Sequence, residues 1–368
     1  MDHESKKHTR LFLLCLYVLG SCIFICLLCS LSTAAAGVEQ ESFWLLRNNS
    51  LTFQDFTRFA RGKFNDFTDS QLELDSFHNH YIYSPGNGEN SCGQVGLFYI
   101  SSDNITAEQE AVNYYLDSRA DNYQQQEYKI QADTEQLMVK GLFFGNALFS
   151  DLHKDLSGNH LSALNEVNLN YRLKVITDGR LEKRNYDGEV EIDSPFKFMD
   201  GYRQLTVSRK GESRIRGLLV DLGVSGSIFF SEREINYELL LNNILGYVTW
   251  ENVYVREVKA GDGVYYYKDF SKSPPPFLQL GFNIQEIQKG CFTEGMLSAG
   301  IDILAQKSYP YLRYYFDGVS PAVAVGTYGS LFSLSFDHEY LSLQLKGDNL
   351  NFMQAENFVL GLELGFSF

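Results

Sequence analysis

The sequence predicts an all-β protein, an antiparallel β-barrel of about 12–14 strands, and three observations support this fold class. Aromatic residues make up 14% of the 368 residues, with 28 Phe and 23 Tyr, and aromatic side chains favour strands over helices. From about residue 166 onwards, apolar residues recur at every second position, which is the period of a strand with one buried face. Short polar or glycine-containing breaks separate these runs, as expected for antiparallel strands joined by turns.

Residues 1–36 have the composition of a signal peptide. Three basic residues precede an apolar stretch at residues 11–31, and small residues follow at 32–37, which is the type of site that signal peptidase cleaves. The apolar stretch is also long enough to span a bilayer as a helix. The cleavage site directly after it favours removal, so we predict export through a cleaved signal peptide.

Charge and cysteine content limit the classes of partner. Without residues 1–36 the chain carries a net charge of about −16, and such a chain repels the phosphates of nucleic acids. Only Cys92 and Cys291 lie outside the leader. An oxidising compartment would permit a disulfide between them, but two distant cysteines establish neither a pairing nor a zinc site.

Residues 37–165 form the least regular part of the chain. Strand-like runs occur at residues 94–100 and 128–132, and between them Thr106 and Gln109 have the spacing of a capping box at a helix start. We predict an irregular, mixed α/β segment that acts as a plug, as a cap or as the first strands. Residues 166–368 are predicted to form the main strands of the barrel.

The alternation in residues 166–368 defines the individual strands. The clearest apolar positions fall in the runs 167–175, 218–224, 235–241, 278–284, 297–303, 332–336 and 341–345. A turn signal at 177–179, Thr-Asp-Gly, follows the first run. Apolar residues are even-numbered in 332–336 and odd-numbered in 341–345, and this change of parity across a short polar break is typical of a hairpin.

Strand length indicates which surface the apolar face contacts. A β-sandwich also hides alternate residues, but strands in soluble proteins usually have about 5–6 residues, whereas membrane-spanning strands need about 9–11. The final run, residues 358–368, has eleven residues. Tilted by about 40°, it would cover about 28 Å, enough for a hydrocarbon layer. Its second face carries one charge, Glu363, which an aqueous lumen would tolerate.

The last strand resembles the C-terminal assembly signal of bacterial outer-membrane β-barrels. The matching residues are Phe358, Leu360, Leu362, Leu364, Phe366 and Phe368. The stretch 217–224, followed by 237–243, also resembles a "D-L-G … L-x-N" hairpin of long-chain fatty-acid transporter-like barrels and their conjugation-associated relatives. That match covers about 30 residues. The Asn-Pro-containing N-terminal segment of that group is missing, so no fatty-acid site or plug is carried over.

No motif predicts chemistry. The segment 337–339, Asp-His-Glu, lies between two strands and is read as a polar turn rather than a catalytic site. His78 and His80 share one face of an extended chain but lack an evident third metal ligand. Tyrosines at 265–267 and 314–315 are read as interfacial or loop aromatics rather than a sugar platform. We expect no catalytic residue, metal or cofactor, and no enzyme activity.

The wet face of the strands supplies the candidate functional residues. Arg172, Asp221, Glu238, Asp302 and Glu363 are predicted to line the lumen as a charge network. The resulting hypothesis is an outer-membrane barrel for the passage of a small solute or for anchoring an envelope assembly, with lipid and the barrel-assembly machinery as partners. The alternatives are a secreted or periplasmic all-β binding or adhesion protein and, third, an outer-membrane hydrolase that depends on His80 or His338.

Overall fold

The computed structural model describes residues 37–48, 71–84, 93–120, 127–149, 164–191, 197–230, 233–259, 262–286, 295–304, 307–316, 322–338, 341–350, 354–355 and 357–367. The leader prediction at residues 1–36, both Cys92 and Cys291, and Phe368 lie outside these ranges. Within the described residues, no helix is long and apolar enough to cross a membrane.

Sixteen strands and one helix make up the described chain. In order they are β1 (Gly37–Asn48), β2 (Gln71–Ser84), β3 (Gln94–Glu108), α1 (Gln109–Ala120), β4 (Glu127–Phe149), β5 (Leu164–Glu191), β6 (Lys197–Val207), β7 (Arg214–Phe230), β8 (Arg233–Lys259), β9 (Asp262–Ser271), β10 (Phe277–Glu286), β11 (Gly295–Leu304), β12 (Lys307–Phe316), β13 (Ala322–Tyr328), β14 (Leu331–His338), β15 (Leu341–Gly347) and β16 (Phe358–Ser367).

Fourteen of these strands form a closed antiparallel ring. The order around the ring is β1-β2-β3-β4-β5-β7-β8-β10-β11-β12-β13-β14-β15-β16, and β16 pairs with β1 to close it. Closure removes the unpaired strand edges that an open sheet would expose. The predicted all-β antiparallel barrel of 12–14 strands is confirmed.

Residues 37–165 contribute four ring strands, β1 to β4, and the helix α1. The predicted helix start at Thr106 is wrong, because Thr106 pairs with Asp133 inside β3 and the helix begins at Gln109. Pairing with β4 gives the backbone groups of this segment their hydrogen-bond partners, so they need no helix cap. The helix packs on the outer face of the barrel, where Val112 contacts a cluster that contains Leu46 and Phe358.

Three strands run far beyond the length of their neighbours and build an extension on one end of the barrel. β4, β5 and β8 have 23, 28 and 27 residues. The off-ring strands β6 and β9 pair with the ends of β5 and β8. Thr177 stands unpaired where β5 leaves the ring, so the predicted turn at 177–179 is a β-bulge and the strand continues.

The extension includes one covered carboxylate between two arginines. The Glu182 side chain is 10% exposed, and the Arg184 Nε atom donates to its Oε1 at 2.7 Å. Burial acts to raise the pKa of Glu182, but the Arg180 and Arg184 guanidiniums prevail and hold it below its usual range. Folding of this part of the sheet is therefore coupled to the ionised form of Glu182.

Candidate functional site

The interior of the ring has a polar half and a mainly apolar half. The polar half is a chamber of about 680 Å³ at the end of the barrel where β1 begins and β16 ends. Below it, towards the extension, inward side chains from most of the strands form the largest hydrophobic cluster, which includes Val139, Leu219 and Trp250. Among the described residues, the chamber is therefore a cup with apolar side chains beneath it.

Three phenylalanines close the bottom of the chamber, and we call them the aromatic plug. Phe43 on β1 and Phe277 on β10 stack with ring centroids 5.1 Å apart, and Phe77 lies 6.4 Å and 6.0 Å from them. β1 and β10 stand on opposite sides of the fourteen-strand ring. The plug therefore joins opposite walls by apolar contact at the bottom of the chamber.

A second set of contacts crosses the interior on the far side of the plug. Arg47 on β1 donates from Nη1 to the hydroxyl of Tyr309 on β12 at 2.8 Å. Lys307 Nζ lies 3.1 Å from the Asp75 carboxylate on β2. These groups are partly exposed, so each contact contributes little to stability by itself. Together with the plug, they hold opposite walls close to each other.

A buried ion pair supports the chamber wall. Lys174 Nζ lies 2.7 Å from Asp221 Oδ2, and the two side chains are 0% and 7% exposed. Asn243 completes the cluster: it accepts from Lys174 at 2.9 Å, and its backbone NH donates to Asp221 at 2.8 Å. Asn243 has a φ of 56°, a conformation that asparagine tolerates better than most residues. The cluster therefore fixes the irregular step where β8 passes from barrel to extension.

Arg172 is held by aromatic rings and one carboxylate. Its guanidinium lies 5.0 Å, 5.6 Å and 5.7 Å from the ring centroids of Tyr81, Tyr83 and Phe143. The Glu41 carboxylate is 3.5 Å away and also accepts from the hydroxyl of Tyr83. Such stacking suits the flat, weakly hydrated guanidinium of arginine.

Asp302 organises the opposite wall. Tyr328 donates its hydroxyl to Asp302 at 2.8 Å, and Lys346 Nζ lies 3.6 Å from the centre of the Tyr328 ring. Arg313 stacks on Tyr311 at 4.5 Å and donates to Gln344 at 3.3 Å. The two cations of this wall are thus already engaged by protein groups.

The structure places all five predicted lumen residues on the wall of this one chamber. Arg172, Asp221 and Asp302 belong to the clusters above, whereas Glu238 and Glu363 make no ion pair within the described residues. The prediction did not include Glu41, Lys174, Arg313 or Lys346. Their place in the alternation could have identified them. Lys346 lies at a polar position of a run whose apolar positions include Leu343 and Leu345, just as Arg172 lies between apolar residues of its own run.

The outer face of the ring is apolar and exposed on most strands, and we call this surface the apolar belt. Its large, exposed side chains are Ile82, Val95, Leu97, Leu142, Leu218, Tyr247, Phe282, Leu312, Val325, Phe332 and Leu341. Leu360, Leu362 and Leu364 of β16 point to the same side and are partly exposed. Phe358 differs, because the helix cluster covers it and leaves it 5% exposed.

Polar residues interrupt the belt on β1 to β3. Ser42 Oγ and His78 Nε2 are 3.1 Å apart, and the His78 ring lies 6.0 Å from that of His80 and 5.4 Å from that of Tyr99. Within the described residues, no group of three potential ligands could hold a metal ion. His338 ends β14, away from this pair, and Tyr265, Tyr266 and Tyr267 lie on β9 in the extension.

Comparisons with known proteins give structural similarity alone. No protein-family model matches the chain, and no curated protein matches it. The translocator domain of autotransporter NalP from Neisseria meningitidis is 9% identical, with 92% of this chain and 90% of that chain covered and a TM-score of 0.33. The CymD monoaromatic hydrocarbon channel is 10% identical, with coverage of 90% and 87% and a TM-score of 0.19. OccAB3 from Acinetobacter baumannii is 9% identical, with coverage of 91% and 99% and a TM-score of 0.15. At these scores, the description of the fold rests on the strand pairing of this chain.

Proposed function

We propose that the protein is an outer-membrane β-barrel that admits a small solute into its polar chamber and passes it when the aromatic plug moves. One observation carries this proposal: the closed ring is apolar and exposed outside but charged inside. This is the reverse of a soluble barrel, whose outer face is wet.

The apolar belt supports a lipid surrounding. A soluble monomer usually exposes apolar patches of no more than about 300–600 Å², whereas the belt includes exposed residues on ten strands of the ring. β16 has ten residues, and a tilted strand of that length rises about 25 Å, which matches the apolar band of outer-membrane barrels. Leu360, Leu362 and Leu364 on β16 would then contact lipid and belong to the assembly signal.

The cup and its plug support passage rather than anchoring alone. An anchor needs only a filled barrel, but this interior retains a cavity of about 680 Å³ with charged walls. A solute that enters the chamber meets Phe43 and Phe277, whose rings stack across the interior. Separation of those rings would join the chamber to a second cavity, of about 220 Å³, that Arg47, Asp75 and Phe77 line on the far side of the plug, and this makes the passage gated.

Two measurements test this function. The mature protein should fractionate with membranes and show heat-modifiable migration in detergent, as a folded membrane barrel does. In a planar bilayer it should be closed for most of the time and show brief openings. Recovery of the folded protein in water without detergent would instead support the secreted or periplasmic all-β alternative.

A serine hydrolase of the membrane surface is the second candidate, favoured by the contact between Ser42 and His78. In such an enzyme, Ser42 Oγ would attack an ester carbonyl while His78 takes the hydroxyl proton and later returns it to the departing alcohol; water would then release the acyl group. A fluorophosphonate probe should label the wild type and not S42A. If neither protein is labelled, this candidate is rejected and the passage function is unaffected.

A further inference from the structure

We infer that the chamber is selective for small organic cations of the alkylammonium class, which Glu238 and Glu363 bind. This inference rests on the proposed function, since it names the class of solute that the same chamber admits. The evidence is the distribution of charge over the chamber wall, the pairing of those charges and a buried acceptor atom.

Negative charge exceeds positive charge on the chamber wall. Five carboxylates line it: Glu41, Asp221, Glu238, Asp302 and Glu363. Three cations line it: Arg172, Arg313 and Lys346. Lys174, behind the wall, neutralises Asp221. A cavity whose wall carries excess negative charge concentrates cations and excludes anions.

With Lys174 counted, five carboxylates face four cations, and two of the five form no ion pair within the described residues. Arg172 is paired with Glu41, and Asp302 has Lys346 and Arg313 in electrostatic range. Glu238 and Glu363 are exposed to the chamber and form no ion pair with any residue that the structure describes. Both lie within electrostatic range of Glu41, and Glu238 also lies within range of Arg172. A bound cation would relieve the repulsion among these three carboxylates.

The strand register strengthens this repulsion. Glu41 on β1 is the direct partner of Glu363 on β16, and both side chains face inward. Like charges at opposed positions of an antiparallel pair destabilise the sheet. The two carboxylates therefore repel each other, and a positive group between them would offset that repulsion.

A buried acceptor points to the same class of ligand. Asn79 lines the chamber, is 7% exposed, and has a side-chain oxygen without a hydrogen-bond partner within the described residues. An unsatisfied buried acceptor is costly, and a donor from a ligand would satisfy it. An alkylammonium group brings three donors and no acceptor. Its apolar stem would lie against Phe43 and Tyr311, which also line the chamber.

Three solutes with the same five-carbon stem separate charge from size. 1,5-Diaminopentane is a dication, 1,5-pentanediol is neutral and glutarate is a dianion. We would titrate each into the full mature protein in detergent at low ionic strength and measure binding by calorimetry. The inference predicts binding of the diamine and much weaker binding of the diol and of glutarate.

Variants locate the site. E238Q/E363Q should weaken diamine binding about tenfold, the loss expected for two partly exposed ion pairs, while E238D/E363D should retain most of it. The matched control is E127Q/E189Q, which removes two exposed charges from the extension strands β4 and β5 and should bind as the wild type does. Heat-modifiable migration checks that each variant folds.

Binding of glutarate equal to that of the diamine, failure of the folded wild type to bind the diamine, or equal diamine affinity of E238Q/E363Q and the wild type would each overturn the inference. None of these results concerns the barrel itself. Membrane fractionation and the conductance of plug variants test the proposed passage function separately, so the two failures are distinguishable.

Discussion

Removal of the plug rings should convert the closed barrel into an open channel. Phe43 and Phe277 stack at 5.1 Å from opposite walls, so the double variant F43A/F277A removes the apolar contact that closes this layer. Each lost ring leaves a void well above the roughly 10–15 Å³ that one water molecule needs. Water would therefore enter the layer, and ions could follow it between the walls.

The substitution has a cost that can be bounded. Phe277 is 3% exposed, and truncation of a buried Phe to Ala typically costs about 3–5 kcal/mol. We expect F277A to retain heat-modifiable migration but to lose it at a lower temperature than the wild type. Phe77 lies about 6 Å from both removed rings, so its own ring can close part of the gap that they leave.

Planar-bilayer recording measures the outcome. The wild type should be closed for most of the recording, whereas F43A/F277A should show long openings. The matched control is F282A/F332A, which makes the same chemical change at two exposed positions of the apolar belt and should be as closed as the wild type. Equal closure of F43A/F277A and the wild type would refute the assignment of the plug as the gate.

Three further predictions concern stability. K174M leaves Asp221 as a buried, unpaired charge and should lower the free energy of unfolding by about 3–5 kcal/mol, whereas K174M/D221L should lower it less. Denaturant titration, followed by the gel band of the folded protein, compares the two variants, and equal losses of stability would contradict the reasoning. N243A forces alanine to a φ of 56° and should cost at least about 1–2 kcal/mol, with N243G less affected in the same titration. Because the pKa of Glu182 is lower in the folded than in the unfolded protein, its contribution is present above the ordinary glutamate pKa of about 4.3 and is lost as pH falls towards the folded value. Amide-exchange protection of β5 and β6 should therefore fall below that pH in the wild type and change less in E182Q; an equal fall in both proteins would contradict the assignment.

The sequence predicted the barrel because period-two alternation reports directly on a sheet with two unlike faces. The runs at 278–284 and 297–303 fall inside β10 and β11, and their polar positions are those that face the chamber. Strand count was largely accessible, because eight of the ten ring strands from β5 onwards contain a run identified in the sequence, and only β12 and β13 do not. The local pattern is sufficient where a strand has one apolar face and one polar face.

Other features depend on contacts between distant residues. The sequence around Phe43 does not predict its contact with Phe277, because the contact exists only when the ring brings β1 opposite β10. The bulge at Thr177 resembles a turn in sequence, and only the pairing of β4 with β5 shows that the strand continues. The acidic pair of Glu41 and Glu363 likewise follows from ring closure.

Site-directed spin labelling along β10 tests the central claim that this ring has lipid outside and water inside. Single cysteines at Leu278, Gln279, Leu280, Gly281 and Phe282, in a chain with its own cysteines replaced by serine, would carry the labels. Collision with oxygen, which partitions into lipid, should be highest at 278, 280 and 282, and collision with a water-soluble nickel complex should be higher at 279 and 281. High accessibility to the nickel complex at all five positions would contradict the membrane barrel.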